Sequence, residues 1–197
     1  MLIYFTCKII LCREQHINYI DDFRENAVNN YIYSNCIINF DENEKIKDNR
    51  SIQIRYDLKS GYSSFYKSCS YNARHTAGIV FSLKGDSTAN IIQPFFKTSS
   101  GNWICGYKIK CDYSLWEEYY LPWRLFCGEN ASIYMTPEDA EEIVKIGFGI
   151  TGSGTGMISI ANLRFFNSYD ICNFESSMID DFEEGSLSEW IYGSGSR

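Results

Sequence analysis

Short segments in which apolar and polar residues alternate, with turn residues between them, run through the middle of this chain. In 51–58 the alternation places Ile52, Ile54 and Tyr56 on one side, and 78–84 repeats the pattern. Successive side chains of a strand point to opposite faces, so this spacing predicts half-buried strands. Several such segments, with turn signals about every 8–12 residues and almost no helical pattern, predict an all-β sandwich.

Two of the remaining segments contain a proline, and one short helix is expected. Further strands are predicted at 91–97, 103–109, 117–126, 144–150 and 157–166. Pro94 lies inside the first of these, and a proline cannot donate to the ladder, so an edge position or a bulge is expected there. The helix is predicted near 137–142, because Thr136 is an N-cap and Pro137 suits the first helical position.

A short motif occurs twice, about one domain length apart. The letters Ile-Asp-Asp-Phe appear at 20–23 and again at 179–182. We expect one module at 17–166, a linker at 167–177 and the truncated start of a second module at 178–197.

The first residues and the cysteines bear on the compartment. Residues 1–16 begin with an apolar run too short to span a bilayer, and are interpreted as a signal-like segment or a fragment edge. Sequons at 49–51 and 130–132 favour a secreted, extracellular protein. The eight cysteines fit either disulfides or reduced core residues, because their spacing dictates no pairing.

Charge and motif content argue against several classes of function. The net charge is −7 and no basic cluster stands out, so neither nucleic acid nor an anionic membrane is an expected partner. With two histidines and no CxxC pair, a zinc site is not expected. Acidic residues lie in solvated runs such as 117–118, which do not suggest a catalytic pair of carboxylates. The glycine-rich segment 152–156 lies between two predicted strands, so it is interpreted as a hairpin loop and not as a phosphate-binding loop. The chain is therefore expected not to be an enzyme.

Four motifs follow one another in a recognisable order: 20–23, the Lys-Gly-Asp turn at 84–86, the Leu-Pro-Trp segment at 121–123 and the closing strand at 160–163. This order resembles carbohydrate-binding modules of the galactose-binding-like jelly-roll type, family 11 most of all. The resemblance covers residues 17–166. It implies a jelly-roll β-sandwich that binds a polysaccharide.

The resemblance also raises the question of a metal. The closing strand of the family carries an aspartate that helps to hold a structural calcium, whereas this chain has Ala161 and Asn162 there. Arg24 stands where the family's opening strand usually has a glutamate. Calcium needs several carboxylate or carbonyl oxygens. No cofactor is therefore expected, and a structural calcium stays as the alternative.

The strand predicted at 117–126 supplies the first candidates for ligand contact. If Leu121 points inward, Tyr120 and Arg124 project from the sheet together. Tyr120 would serve as a stacking platform and Arg124 as a donor to sugar hydroxyls. The alternative is a solvated pair on an ordinary surface.

Further candidates alternate on two other segments. Gln93 and Phe95 lie on the same side of their predicted strand, and Tyr107 shares a face with Trp103. We expect Gln93, Phe95 and Tyr107 to extend the binding face. The alternative is that Phe95 and Trp103 belong to the core.

The expected function is non-catalytic binding of a polysaccharide, and a β-glucan-like polymer is the first expectation. The module would tether an attached glycoside hydrolase to its substrate. The alternative is a protein-interaction or assembly domain on the same jelly roll, since a mitochondrial complex-assembly factor shares this pattern. A ring-lined hollow would favour the first function and a contiguous outer apolar patch the second.

Overall fold

The chain folds into two antiparallel β-sheets that pack face to face. The computed structural model describes residues 19–21, 23, 28–46, 49–128, 135 and 139–167. Each strand pairing in this part of the chain is antiparallel. The predicted all-β jelly-roll sandwich is thereby confirmed.

The first sheet has six strands in the described residues. They are β1 (Tyr19–Asp21), β3 (Cys36–Ile46), β4 (Asn49–Asp57), β6 (Gly78–Lys84), β10 (Trp116–Pro122) and β13 (Thr155–Phe166). Five of them follow the order β10-β6-β13-β4-β3, and β1 pairs with β13. The opening and closing strands of the module are therefore neighbours.

The second sheet has seven strands in the described residues. They are β2 (Tyr31–Ser34), β5 (Tyr62–Tyr71), β7 (Ile91–Thr98), β8 (Trp103–Cys105), β9 (Ile109–Lys110), β11 (Cys127–Gly128) and β12 (Ile143–Thr151). The order is β11-β8-β7-β12-β5-β2, and β9 pairs with β7. Strand β12 thus lies at the centre of this sheet, between β5 and β7.

Phenylalanines from both sheets form the centre of the core. Phe81 of β6 and Phe148 of β12 meet edge to face with ring centroids 5.0 Å apart, and Phe65 of β5 stacks on Phe148 at 5.5 Å. All three are buried. Burial of one such side chain contributes about 1.5–3 kcal/mol. The apolar side chains that the alternation places on the inner faces therefore hold the two sheets together.

Three details differ from the sequence-based predictions. The short helix is a single 3-10 turn at Asp139–Glu142, and it leads directly into β12. The strand predicted at 117–126 ends at Pro122, and a 3-10 turn, Trp123–Leu125, follows. Pro94 is not at an edge, because β7 lies between β12 and β8; its carbonyl accepts a hydrogen bond from Gly106 at the break between β8 and β9.

Of the other sequence-based predictions, some are confirmed and some concern residues outside the described part of the chain. The glycine-rich segment connects β12 to β13 as a hairpin loop, as predicted. Among the described cysteines, Cys36, Cys69, Cys111 and Cys127 are free thiols. The N-terminal segment 1–16, the second motif and 178–197 lie outside the described residues, as does almost all of the linker. No helix in the described part of the chain has the length and hydrophobicity that a bilayer crossing requires.

Candidate functional site

Four aromatic side chains lie on the outer face of the second sheet. Tyr62 and Tyr66 are on β5, Phe95 is on β7 and Trp103 is on β8. Phe65 of β5 and Phe96 of β7 point into the core, so their neighbours in the chain point outward. We call this surface, with Gln93, Lys97 and Lys145, the ring face.

The rings form a row across the strands. The ring centroids of Tyr66 and Phe95 are 6.4 Å apart, although β12 lies between their strands. Phe95 meets Trp103 edge to face at 5.4 Å. Tyr62 is 45% exposed, whereas Phe95 is only 8% exposed. Phe95 is therefore the floor of the row, and Tyr66 and Trp103 are its half-buried sides.

Two glycines of β12 make the space that these rings occupy. Gly147 lies opposite both Tyr66 and Phe95 in the ladders. A Cβ on Gly149 would lie 2.9–3.3 Å from the hydroxyl end of Tyr62. Because neither glycine carries a side chain, the rings of β5 lean over the central strand into the gap between the side chains of β5 and β7, which we call the trough.

Polar and charged groups border the trough. The Gln93 amide donates to the Gly106 carbonyl at 2.7 Å, which fixes its orientation. The Lys145 ammonium lies 4.7 Å from the Tyr66 ring centroid and 5.8 Å from that of Trp103, and the Lys97 ammonium lies 5.1 Å from Trp103. Burial raises the pKa of the Tyr62 hydroxyl, which therefore stays protonated and can donate a hydrogen bond at neutral pH.

The structure brings together two of the five predicted ligand contacts on the ring face. Gln93 and Phe95 point outward from β7, as their alternation predicts. Tyr107 does not join them, because the strand predicted at 103–109 is interrupted at Gly106. Tyr107 packs against the core instead, and Trp103 alone stays on the outer surface.

The other two candidates lie on the opposite side of the sandwich. Tyr120 points outward from β10 of the first sheet, where its hydroxyl donates to Glu118 at 3.2 Å and lies 3.5 Å from the Arg164 guanidinium. Arg124 is exposed in the 3-10 turn after β10. The prediction that Tyr120 and Arg124 project together from one strand is therefore wrong, because the strand ends between them.

The outer side of the first sheet has a cavity of about 1040 Å³. Most residues that line it are polar or charged, including Gln53, Arg55 and Ser159, although the surface they expose there is mainly apolar. Of its two rings, Tyr33 and Tyr56, the second is 3% exposed and is held by hydrogen bonds. This cavity therefore lacks a row of stacking platforms.

The residues of the opening strand do not fit a structural calcium. The Lys67 ammonium enters the sandwich from β5, contacts the Ile20 carbonyl and lies 2.8 Å from the Asp21 carboxylate. Asn162, on the closing strand, donates to Ser82. The described residues contain no group of three or more His, Cys, Asp or Glu side chains arranged for a metal. A lysine ammonium thus occupies the place of a cation next to the Asp21 carboxylate.

Sequence reasoning missed five members of the ring face. The side chains not predicted as ligand contacts are Tyr62, Tyr66, Lys97, Trp103 and Lys145. Polar residues occupy both sides of much of β5, so its alternation is weak. The glycines at 147 and 149 were the available signal, because two glycines on the same side of one strand leave room for neighbouring side chains.

The fold is similar to that of known sugar-binding modules. A family 11 carbohydrate-binding module of a cellulosomal cellulase from Clostridium thermocellum aligns with a TM-score of 0.58 and 17% identity, over 77% of this chain and 95% of that chain. A family 11 module from the same organism, in complex with a β-1,3-1,4-mixed-linked tetrasaccharide, aligns at 0.57 and 16%, over 76% and 95%. An exo-β-agarase aligns at 0.60 and 10%, over 76% of this chain and 25% of that chain.

Comparison of sequences adds nothing to this likeness. No family model matches the chain, and no curated protein does either. The structural neighbours thus identify the fold as the jelly roll of family 11 carbohydrate-binding modules, as the motif order predicted.

Proposed function

We propose that this chain is a non-catalytic module that binds a polysaccharide on the ring face. The observation that carries the proposal is the row formed by Tyr66, Phe95 and Trp103 along the glycine trough of β12. Sugar rings present flat C–H faces, which stack on aromatic side chains. The hydroxyl groups at the edge of the stacked sugar stay accessible to water.

The polar border suits the rest of a sugar. The Tyr62 hydroxyl and the lysine ammonium groups are donors, and hydroxyl groups of a glycan accept from such donors. Since the rings lie in a row across several strands on an outer face of the sheet, an extended polymer fits better than a small molecule enclosed in a pocket.

The proposed role is to tether an attached glycoside hydrolase to its substrate outside the cell. The structural neighbours include a module of a cellulase and part of an agarase, which supports such an arrangement. A tether raises the local concentration of the enzyme at the polymer without any new catalytic group.

A β-glucan is the first ligand to test, because one structural neighbour is described in complex with a mixed-linked tetrasaccharide. Affinity electrophoresis in gels containing soluble mixed-linked β-glucan, xylan, agarose-type galactan or polygalacturonate would measure binding. We expect retardation of the wild-type chain in at least one gel, and loss of that retardation in the double variant Tyr66→Ala with Trp103→Ala.

The matched control is Tyr120→Ala with Arg124→Ala, on the other side of the sandwich. These substitutions likewise truncate two large side chains, but they leave the ring face intact, so retardation is expected to persist. If the wild-type chain migrates normally in every gel, or if the control alone loses binding, this site is wrong.

One observation favours the alternative of a protein-interaction domain. Ile32, Tyr33 and Ile37 are each more than half exposed where β2 leads into β3. Such apolar exposure is typical of contact surfaces. The alternative predicts a stable protein partner that is lost on Ile32→Ser with Ile37→Ser, together with no binding to any glycan.

A further inference from the structure

The ring face carries charge of one sign only. Lys97 and Lys145 point outward from β7 and β12, and Lys110 of β9 lies on the same side, opposite Ile91. The other described outward side chains of these strands are uncharged: Tyr62, Ser64, Tyr66, Ser68, Ile91, Gln93, Phe95, Trp103, Cys105 and Thr151. The whole chain, in contrast, has a net charge of −7. An outer face whose described strand residues carry lysines and no carboxylates, on an acidic protein, points to a negatively charged ligand.

Neither Lys97 nor Lys145 is paired with a carboxylate in the described structure. The described ion pairs involve Lys59, Lys67 and Arg164. Glu142, which precedes β12, accepts a hydrogen bond from Ser99. Lys97 and Lys145 instead rest against the rings of Tyr66 and Trp103, at 4.7–5.8 Å from their centroids.

The position of the two ammonium groups decides which sugars the rings accept best. A neutral sugar that stacks on Tyr66 or Trp103 must first displace an ammonium group from a favourable cation–π contact. A sugar bearing an anionic group offers the displaced ammonium a charge-assisted hydrogen bond at the same place. The geometry therefore disfavours a neutral chain relative to an anionic one of the same shape.

We infer that the ring face selects an anionic polysaccharide, carboxylated or sulfated, with Lys97 and Lys145 as its specificity-determining residues. This inference rests on the proposed function, and it adds the charge of the ligand. The sugar rings stack on Tyr66 and Trp103, and the acidic substituents bind the ammonium groups beside them.

Affinity electrophoresis and calorimetry with polygalacturonate, a sulfated galactan and neutral mixed-linked β-glucan test it, each at low and high salt. We expect one of the anionic polymers to bind at least about 10-fold more tightly than the neutral one at low salt, and to lose that advantage as salt screens the charges. The two anionic polymers distinguish carboxylate from sulfate as the recognised group.

The variant Lys97→Gln with Lys145→Gln removes the charge of the two side chains and leaves polar side chains that are one atom shorter. It is expected to lose about 10-fold in affinity for the anionic polymer, whereas Lys97→Arg with Lys145→Arg and the exposed control Lys59→Gln keep it. If the neutral glucan binds as well as the anionic polymers, or if the glutamine variant binds them unchanged, the inference is overturned and the proposed function stands. If no polymer binds, both are overturned.

Discussion

The Lys67 ammonium lies 2.8 Å from the Asp21 carboxylate and joins the second sheet to the first. Both side chains are nearly enclosed, at 12% and 6% exposure. Tyr31 donates a further hydrogen bond to the same carboxylate at 3.0 Å. This pair fixes the opening strand, which is only three residues long, against the rest of the sandwich.

The first prediction is that Lys67→Met strongly destabilises the module. The substitution leaves the Asp21 carboxylate buried without its cation, and breaking such a pair costs about 3–5 kcal/mol. Urea denaturation measures the free energy of unfolding. The matched control is Lys59→Met, because Lys59 is 87% exposed in its pair with Asp57 and such pairs contribute less than about 1 kcal/mol. Equal losses in the two variants would contradict the role given to Lys67.

The second prediction concerns calcium. Since the Lys67 ammonium already neutralises the Asp21 carboxylate, millimolar calcium and a chelator should give the wild-type chain the same melting temperature within about 1 °C. In Lys67→Ala, the carboxylate and the Ile20 carbonyl lose their cation, so calcium is expected to raise the melting temperature. A clear calcium-dependent rise in the wild type would show that a metal binds despite the lysine.

The third prediction concerns Asp86, in the turn after β6. Its carboxylate accepts hydrogen bonds from the Tyr56 hydroxyl at 2.5 Å, from the Met157 amide at 2.9 Å and from Thr88. Asp86→Ala removes the acceptor for all of these donors and should cost about 2–4 kcal/mol in the free energy of unfolding. Asp112→Ala, at an exposed position, is the control and should change it little. Because Asp86 is remote from the ring face, glycan retardation should be unchanged while the variant is folded.

The fourth prediction is an alkaline pH dependence that involves Tyr56. Burial, followed by the hydrogen bond to Asp86, raises the pKa of Tyr56 from 10.0 to about 12. A raised pKa means that the folded state holds the proton more tightly than the unfolded state. The resulting stability is complete below pH 10 and is lost as the pH rises from 10 through 12. Tyr56→Phe should therefore lose less stability across that interval than the wild type, as measured by urea denaturation at each pH; parallel curves would refute it.

The sequence predicted the strands more reliably than the site because strands depend on local alternation. Ile52, Ile54 and Tyr56 are buried on one side of β4, as their spacing requires. The choice of outer surface depends instead on where strands stop. The end of β10 at Pro122 separates Tyr120 from Arg124. The position of a strand end depends on tertiary packing, which the neighbouring residues in the sequence do not reveal.

The register between strands that are distant in the chain decided the rest of the site. Tyr66 meets Phe95 only because β12 pairs with both β5 and β7 and carries Gly147 between them. Alternation gives the side on which each residue lies, but not its partner across the sheet. The ring face therefore needed the structure.

The last prediction uses the two glycines of the trough, which face different neighbours. A Cβ on Gly147 would lie 2.2 Å from the Phe65 backbone carbonyl, which the ladder holds in place. Gly147→Ala should therefore cost about 1–3 kcal/mol in the free energy of unfolding. The atoms nearest to a Cβ on Gly149 would be those of the hydroxyl end of Tyr62, at 2.9–3.3 Å, and that side chain is 45% exposed, so it can turn outward.

Gly149→Ala should accordingly keep most of its stability and lose affinity, because it displaces the Tyr62 ring from the trough. Urea denaturation and affinity electrophoresis of both variants separate the two effects. Tyr62→Ala is the matched control, and it should reduce glycan retardation about as much as Gly149→Ala does. If Gly149→Ala binds glycan as the wild type does while Tyr62→Ala does not, the ring has a second position that still serves the ligand, and the role given to the glycine is wrong.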